Sequence, residues 1–570
     1  MHVNSSVKQF DDSIVEMLLK RVIGRDVLFS LPCPTKAFHP RLYRGPCGII
    51  SKGHMRERTG MHLVIHTQEN EVRTIEAALG QTLLEALQNA GETMLAPCGG
   101  AGTCGRCRVL VRDATGVSYR LACQTAAADG LEILMEDIGS MRVEGASGAR
   151  SSHALPAREN AVFGLAVDIG TTTMVFNLVD LDTHDVVATA GKVNPQAAFG
   201  ADVIARINAA KTSESLQTLC GLLRACIDQT CTDLCNKLHI DRARIEQIAL
   251  VGNTTMEHFA AGFDPQPIGV SPFTPRSLFG ARLPLHAEAE NARVCAYFAP
   301  AVAGYVGGDI TAGLHVSGMA EREGIQLFID VGTNGEMALG NRDRMLCCAT
   351  AAGPAFEGAN ITFGMPAMPG AISSVAMTEN GLVVETIGDE NPVGLCGSGL
   401  LDAVACLVEA GIVDETGYLA DEDEVDARFA HLIAEEQNQT VCYLDPSRRV
   451  YLTQKDVRCM QLAKAAFRAG IETMVETLGV TYDDIDHVAL AGGFGMHLRP
   501  ESAARIGLIP PALGDKIVPL GNAAGKGAIE ALFQPGRDAI ERIASRCEYL
   551  ELSTNPLFNE KYIDAMGFDD

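Results

Sequence analysis

Apolar and polar residues alternate over residues 62–66 and 71–75, and this two-residue period predicts two strands joined as a hairpin. Thr82-Leu83-Leu84-Glu85 has the form of a capping box, so a short apolar helix is expected to open there and to stop at Gly91. Residues 108–112 read as a third strand and 131–135 as one that closes a small sheet. Over residues 141–160 the period is lost, Gly, Ser, Ala and Arg dominate, and the stretch reads as a flexible linker.

Beyond the linker the pattern repeats. Phe163-Gly164-Leu165-Ala166-Val167-Asp168-Ile169-Gly170-Thr171-Thr172-Thr173 has a counterpart in Gln326-Leu327-Phe328-Ile329-Asp330-Val331-Gly332-Thr333-Asn334-Gly335-Glu336. Each is an apolar strand, an aspartate and a glycine turn. Ile248-Ala249-Leu250-Val251-Gly252-Asn253 is matched in the same way by Val488-Ala489-Leu490-Ala491-Gly492-Gly493. Two halves that begin and end alike predict a duplicated α/β unit with a cleft between them. In such a cleft two Asp-Gly-Thr turns can face one nucleotide, with turn amides and hydroxyls on the phosphates and the aspartates on Mg²⁺ and its waters. The plainer alternative is that these turns only join strands.

Roughly residues 162–535 resemble the actin/Hsp70/sugar-kinase superfamily. The resemblance implies an ATP site in which Asp168, Gly170, Thr171 and Thr172 form a first phosphate motif. Asp330, Gly332, Thr333 and Asn334 would form the second, and Gly492 and Gly493 the adenosine motif. It also implies that Asp309, in Gly307-Gly308-Asp309-Ile310, orients the attacking water, so that Asp309, Asp168 and Asp330 are the catalytic carboxylates.

Cysteine usage adds a second chemistry. Cys98, Cys104, Cys107 and Cys123 read C-x5-C-x2-C-x15-C, and the segment between the first two is Gly99-Gly100-Ala101-Gly102-Thr103. Four thiolates are what a [2Fe–2S] cluster requires. Glycines let the chain adopt unusual backbone angles and bring its amides close to the sulfides. A four-thiolate zinc site is the competing reading, but it does not need so much glycine. The segment resembles [2Fe–2S] ferredoxins of the β-grasp fold, departing from the plant-type C-x4-C spacing and closing with a shorter final gap.

At 570 residues the chain is too long for one core, and 47% apolar with 21% charged residues is ordinary for a globular protein. The net charge of -25 makes nucleic acid and anionic membrane poor partners. No apolar run approaches the ~20 residues that cross a bilayer, so a cytoplasmic protein is expected. Eighteen cysteines there argue for reduced thiols and metal rather than disulfides. The fourteen histidines are scattered, and no nucleophilic-serine or Walker-type motif is present.

Three lesser features complete the reading. Ser398, in Cys396-Gly397-Ser398-Gly399, is expected to cap an apolar helix running to Gly411 or to meet an anion at its start. Cys347 and Cys348, ahead of Gly353-Pro354-Ala355-Phe356-Glu357, somewhat resemble the cluster loop of 2-hydroxyacyl-CoA dehydratase activators, yet a companion cysteine is not evident and buried thiols are expected. Cys220, Cys226, Cys231 and Cys235 lie in a helical stretch and are expected to pack as small apolar residues.

The layout is therefore α/β and multidomain. It comprises an extension of unknown role (1–60), a β-grasp ferredoxin domain (61–138), a linker (139–161) and two actin/Hsp70-like ATPase halves (162–322 and 323–570). As a whole it resembles the reductive activators of corrinoid proteins. That resemblance implies a homodimer that hydrolyses ATP and passes an electron from its cluster to the corrinoid protein of a methyltransferase system, taking Co(II) to Co(I). The upstream electron donor is not named by the sequence. Two rival readings are an activator of a radical dehydratase or aryl-CoA reductase, and a redox-sensing kinase or Hsp70-like binding module.

Overall fold

The structure is a computed structural model, and it describes residues 61–66, 72–78, 80–90, 107–113, 116–134, 161–200, 202–285, 295–332, 334–378, 381–493, 495 and 498–568. The extension 1–60, Cys98, Cys104, Thr333 and all of the 139–161 linker but its last residue lie outside the described residues.

Strands β1 (Met61–His66) and β2 (Val72–Ala77) pair antiparallel, with Met61 opposite Ala77 and His66 opposite Val72. β2 starts one residue later than the alternation predicts. Helix α1 (Leu83–Asn89) opens on the expected box, with Thr82 N donating to Glu85 Oε2 at 2.8 Å and Glu85 N to Thr82 Oγ1 at 3.3 Å. It ends at Asn89, ahead of Gly91. β3 (Arg108–Asp113), β4 (Gly116–Leu121) and β5 (Glu132–Leu134) complete a five-stranded sheet of order β2-β1-β5-β3-β4, with β1 and β5 parallel. A mixed sheet packed on one short helix is the β-grasp arrangement. Leu63, Ile65, Leu83, Leu87, Val111 and Ile133 form its core.

The first ATPase half builds a sheet of order β10-β11-β9-β6-β7-β8 from β6 (Phe163–Ile169), β7 (Thr173–Asp180), β8 (Val186–Val193), β9 (Ile245–Gly252), β10 (Ala281–Pro284) and β11 (Cys295–Phe298). Its helices include α2 (Val203–Ala209), α3 (Ser213–Lys237), α4 (Thr254–Ala261) and α5 (Gly308–Ser317).

In the second half, β12 (Ile325–Val331), β13 (Gly335–Gly340) and β14 (Met345–Thr350) precede two small sheets. These are β15 (Ala371–Thr378) with β16 (Gly381–Thr386) and β17 (Gly394–Leu395), and β18 (Ile433–Glu436) with β19 (Gln439–Tyr443) and β20 (Tyr451–Thr453). Helix α6 (Gly397–Glu409) follows β17, α7 (Gln454–Leu478) follows β20, and β21 (Ile485–Ala491), β22 (Ile517–Gly521), α8 (Ala523–Glu530) and β23 (Cys547–Tyr549) lie beyond them, with a helix at Pro556–Asp564 after β23. The main sheet has the order β22-β21-β12-β13-β14-β23.

The sequence repeat is therefore a structural one. β6 and β12 occupy equivalent places, each beside an antiparallel hairpin partner on one side and a parallel strand, β9 or β21, on the other. Both are buried along almost their whole length, as expected of strands covered on both faces. In register, Asp168 lies opposite Val251 and Asp330 opposite Ala491, so each aspartate turn sits next to the glycine turn of the neighbouring strand.

Helix α8 returns from the second half to pack on α5. A Cβ on Gly527 would lie 2.6 Å from Ala312 Cβ, so the two helices meet at backbone distance through small residues. No helix among the described residues is long and apolar enough to cross a membrane.

Candidate nucleotide cleft and cluster site

Three asparagines hold the first phosphate turn, and each does so in the same way. Asn194 Oδ1 accepts Gln196 N at 2.9 Å while its Nδ2 donates to Gly170 O at 2.8 Å. Asn253 Oδ1 accepts Met256 N at 3.0 Å and its Nδ2 donates to Thr171 Oγ1, also at 3.0 Å. Asn522 Oδ1 accepts Gly525 N at 2.6 Å and its Nδ2 donates to Asp168 Oδ2 at 3.0 Å. One carboxamide thus caps a helical turn with its oxygen and grips the motif with its nitrogen. Arg206, buried in α2, adds a bond from its guanidinium to Thr171 O at 2.5 Å and another to Gly200 O at 3.0 Å. The turn is fixed before any ligand arrives.

Asp168, Asp330 and Asp309 converge on the cleft from β6, β12 and the first turn of α5, each keeping part of its surface open to it. Burial pushes Asp168 up to about 7 despite the Asn522 bond, with the nearby charge of Asp330 adding to the rise. Asp309 is pushed up to about 8, first by burial and then by Asp330 and Asp168. Burial alone lifts Asp330 to about 6. Glu336 in β13 is held well above the ordinary glutamate range by burial and by Asp309 and Asp330.

The charges that act most on this group are its own members', all of one sign, and a divalent cation relieves that repulsion. Among the described residues no three acidic, imidazole or thiol groups come close enough to ligate one ion directly. Mg²⁺ keeps several of its waters, and carboxylates can hold it through them. The residues present fit the ion.

Gly492, at φ +91°, follows β21; a Cβ there would lie 2.7 Å from Asp330 Oδ1, so only glycine lets this turn close on the motif. Beside Gly493 a Cβ would meet nothing within 4 Å. Gly332 N donates to Asn334 O at 3.1 Å and closes the second turn.

In the ferredoxin sheet the chain brings two of the four predicted ligands together. Cys123, in the turn after β4, donates its amide to Cys107 Sγ at 3.4 Å. An N–H···S bond of this kind favours a thiolate and tunes an iron–sulfur centre. Cys107 is buried and Cys123 half-buried, so the pair sits at the edge of the core. The described pair fits the cluster.

The remaining candidates fall elsewhere. Ser398 is the second residue of α6, whose N-cap Cys396 makes no side-chain cap bond; its hydroxyl donates to Ser373 O at 2.8 Å instead of capping the helix. The helix ends at Glu409. Cys347 and Cys348 are buried in β14, and their thiols are held protonated, the first by bonding to Cys547 and by burial, the second chiefly by burial. A cluster shared between subunits needs thiols at a surface. Cys220, Cys231 and Cys235 of α3 pack in the first-half core with Cys226 against it, and burial pushes Cys231 up to about 12.

Comparison with known proteins gives this architecture its relatives. Residues 66–128 match the 2Fe-2S iron-sulfur cluster binding domain, residues 163–322 the RACo middle region, and residues 324–570 the C-terminal domain of RACo, its ASKHA domain. A corrinoid activation enzyme, RamQ, of Eubacterium limosum is 35% identical over 447 residues, which cover 74% of each chain. The chain belongs to the RACo family. A second relative of this RACo-family chain, the [Co(II) methylated amine-specific corrinoid protein] reductase of Methanosarcina barkeri, is 24% identical over 446 residues, covering 71% of this chain and 77% of that protein. The solved structure of a reductive activator for a corrinoid, iron-sulfur protein is 32% identical, covers 89% of this chain and 98% of its own, and superposes with a TM-score of 0.64.

Several residues at the RACo-family cleft carried no signal in the sequence motifs: Asn194, Asn522, Arg206, Glu257 and Glu357. The asparagines stand just ahead of helical turns and were legible as caps. Glu257 is the one acidic residue of α4. It is fully buried, and neither carboxyl oxygen has a hydrogen-bond partner. The nearby Ala299 amide is already committed to Leu250 O at 3.0 Å. Burial, followed by the charge of Asp309, raises its pKa well above the ordinary 4.5.

The folded state therefore holds a proton here that the unfolded chain gives up. Its stabilising contribution is full below the unfolded value and is lost as pH rises toward the folded one. Between about pH 5 and about pH 8 the melting temperature of the wild type is expected to fall more steeply than that of Glu257→Gln, which has no proton to lose. Parallel melting curves against pH would refute a buried neutral Glu257.

Proposed function

We propose that this chain is an ATP-dependent reductive activator of a corrinoid protein in a methyltransferase system, returning inactive Co(II) corrinoid to Co(I) by a one-electron transfer. The observation that supports it is the union, in one RACo-family chain, of a ferredoxin thiol pair with a two-sided cleft of uncompensated carboxylates. When bound, a [2Fe–2S] cluster supplies the electron and Mg-ATP the driving free energy. Cys98, Cys104, Cys107 and Cys123 are the residues that hold the first. Asp168 and Asp330 hold the waters of Mg²⁺, while Gly170, Thr171, Thr172, Gly332, Thr333 and Asn334 take the phosphates. Gly492 and Gly493 face the adenosine, and Asp309 orients the water that attacks.

A one-electron transfer against the potential gradient loses tenfold in equilibrium constant for every ~59 mV. Nucleotide can offset that loss only by binding more tightly to one arrangement of the two halves than to another. The same reading makes the chain a cytoplasmic homodimer that is re-reduced by a separate electron donor.

The test mixes the reduced protein with a Co(II) corrinoid protein and follows the corrinoid spectrum with and without Mg-ATP. Co(I) is expected only with nucleotide. Reduction that ignores ATP, or none at all, defeats the proposal.

A further inference from the structure

One side chain outside both nucleotide motifs reaches the cleft from the opposite half. Glu357 ends the turn Pro354–Glu357, and its Oε2 accepts the Thr172 hydroxyl at 2.7 Å from a residue 185 positions away. The turn is bounded by Gly353 at φ +79° and Gly358 at φ +72°, and a Cβ on Gly358 would lie 2.6 Å from Met365 N. It is anchored from behind, because Phe356 is buried and packs edge-on against Phe467 of α7, with ring centroids 5.9 Å apart. Phe467 in turn presses on the second phosphate turn, where a Cβ on Gly335 would lie 2.6 Å from its ring. Thr172, Glu357, Phe356, Phe467 and Gly335 thus form a continuous line from the first phosphate turn to the second.

The local electrostatics give this contact a direction. Burial pushes the Arg206 guanidinium down to about 10, and the Glu357 charge works against that fall, so the carboxylate sits within the field of Arg206. The Glu357 carboxyl group is therefore held by a threonine hydroxyl near a buried guanidinium. Those are the features that a phosphate oxygen would use at the same turn. The Thr172 hydroxyl has one proton, which can serve Glu357 or a phosphate oxygen but not both. Two anions at that point also repel each other.

The geometry points to Glu357 as a positioning residue that competes with nucleotide phosphate for the Thr172 hydroxyl and so reports nucleotide binding from one half to the other. This rests on the reading of the cleft as an ATP site. Loss of the Thr172 bond removes a tie between the Glu357 turn and the first phosphate turn, and the Phe356–Phe467 contact carries the change to Gly335. The differential affinity that a two-state element requires is then the exchange of carboxylate for phosphate at a single hydroxyl.

The test measures the affinity of the full-length protein for a fluorescent, non-hydrolysable ATP analogue with Mg²⁺. Glu357→Ala is expected to bind it about tenfold more tightly than the wild type, the scale of one charge-assisted hydrogen bond. Glu357→Gln, which keeps an acceptor and loses the charge, falls between them and guards against a folding defect. In a Thr172→Val background the gain from Glu357→Ala shrinks, because no hydroxyl is left to win. A merely structural Glu357 gives weaker binding when removed. Variants that bind no tighter than a nucleotide-binding wild type overturn this inference and leave the ATP site standing, whereas a wild type that binds no analogue overturns both.

Discussion

Replacing Asp330 by alanine is expected to cut ATP turnover by roughly 10²-fold or more, the usual cost of removing one preorganised electrostatic group from a reaction site, and to leave the cluster's visible absorbance unchanged. Asp330 stands near the end of β12, where Gly492 closes on its carboxylate. Its charge also helps raise the pKa values of Asp168, Asp309 and Glu336. On the proposed reading, removing it deletes a holder of the Mg²⁺ waters and relieves like-charge repulsion in the same step. Turnover should collapse while the fold is spared or slightly stabilised. Phosphate release, thermal melting and absorbance spectra check the three parts together. If absorbance were lost along with turnover, the cluster and the nucleotide would not occupy separate folding units.

The mirror experiment is Cys123→Ala. Iron, acid-labile sulfide and Co(II) reduction are expected to disappear, with nucleotide affinity unchanged to within about twofold, because a cluster that needs four thiolates does not assemble on three. Cys123 suits this test better than Cys107. Its side chain is half-buried where Cys107 is part of the sheet's core, and the hydrogen bond it gives comes from its backbone amide, which alanine retains. Elemental analysis and the corrinoid spectrum read the first outcome, and fluorescent nucleotide binding reads the second. A variant that keeps full iron would take Cys123 out of the ligand set.

Local pattern made the frame of the molecule readable and left most of its cross-connections dark. The alternation at 62–66 and the box at Thr82 and Glu85 predict elements within a residue or two, since both signals lie inside the element they specify. The pairing of β6 with β12 as equivalents was legible because a duplication leaves two copies to compare. Residues 116–121 also alternate, so β4 is legible by the same two-residue period.

What could not be read are contacts between distant segments. Asn522 meets Asp168 from 354 positions away and Glu357 meets Thr172 from 185, and no periodicity records either meeting. Ser398 shows the opposite error. A serine at a helix start usually caps, but here its hydroxyl donates to the Ser373 carbonyl of β15.

Helix α5 places Asp309 in its first turn and ends at Gly318, whose φ of +73° stops it shortly before the chain enters the second half. At 1.5 Å per residue the span is about 15 Å. Its bed on α8 is alanine against glycine, with no long side chain threaded between the two helices at that point. With backbones this close and Phe328 against Gly313, α5 cannot slip past its neighbours and has to move with them. A displacement begun at the aspartate would reach the far end as a translation of one stiff body, with no chain of rotamer changes to dissipate it.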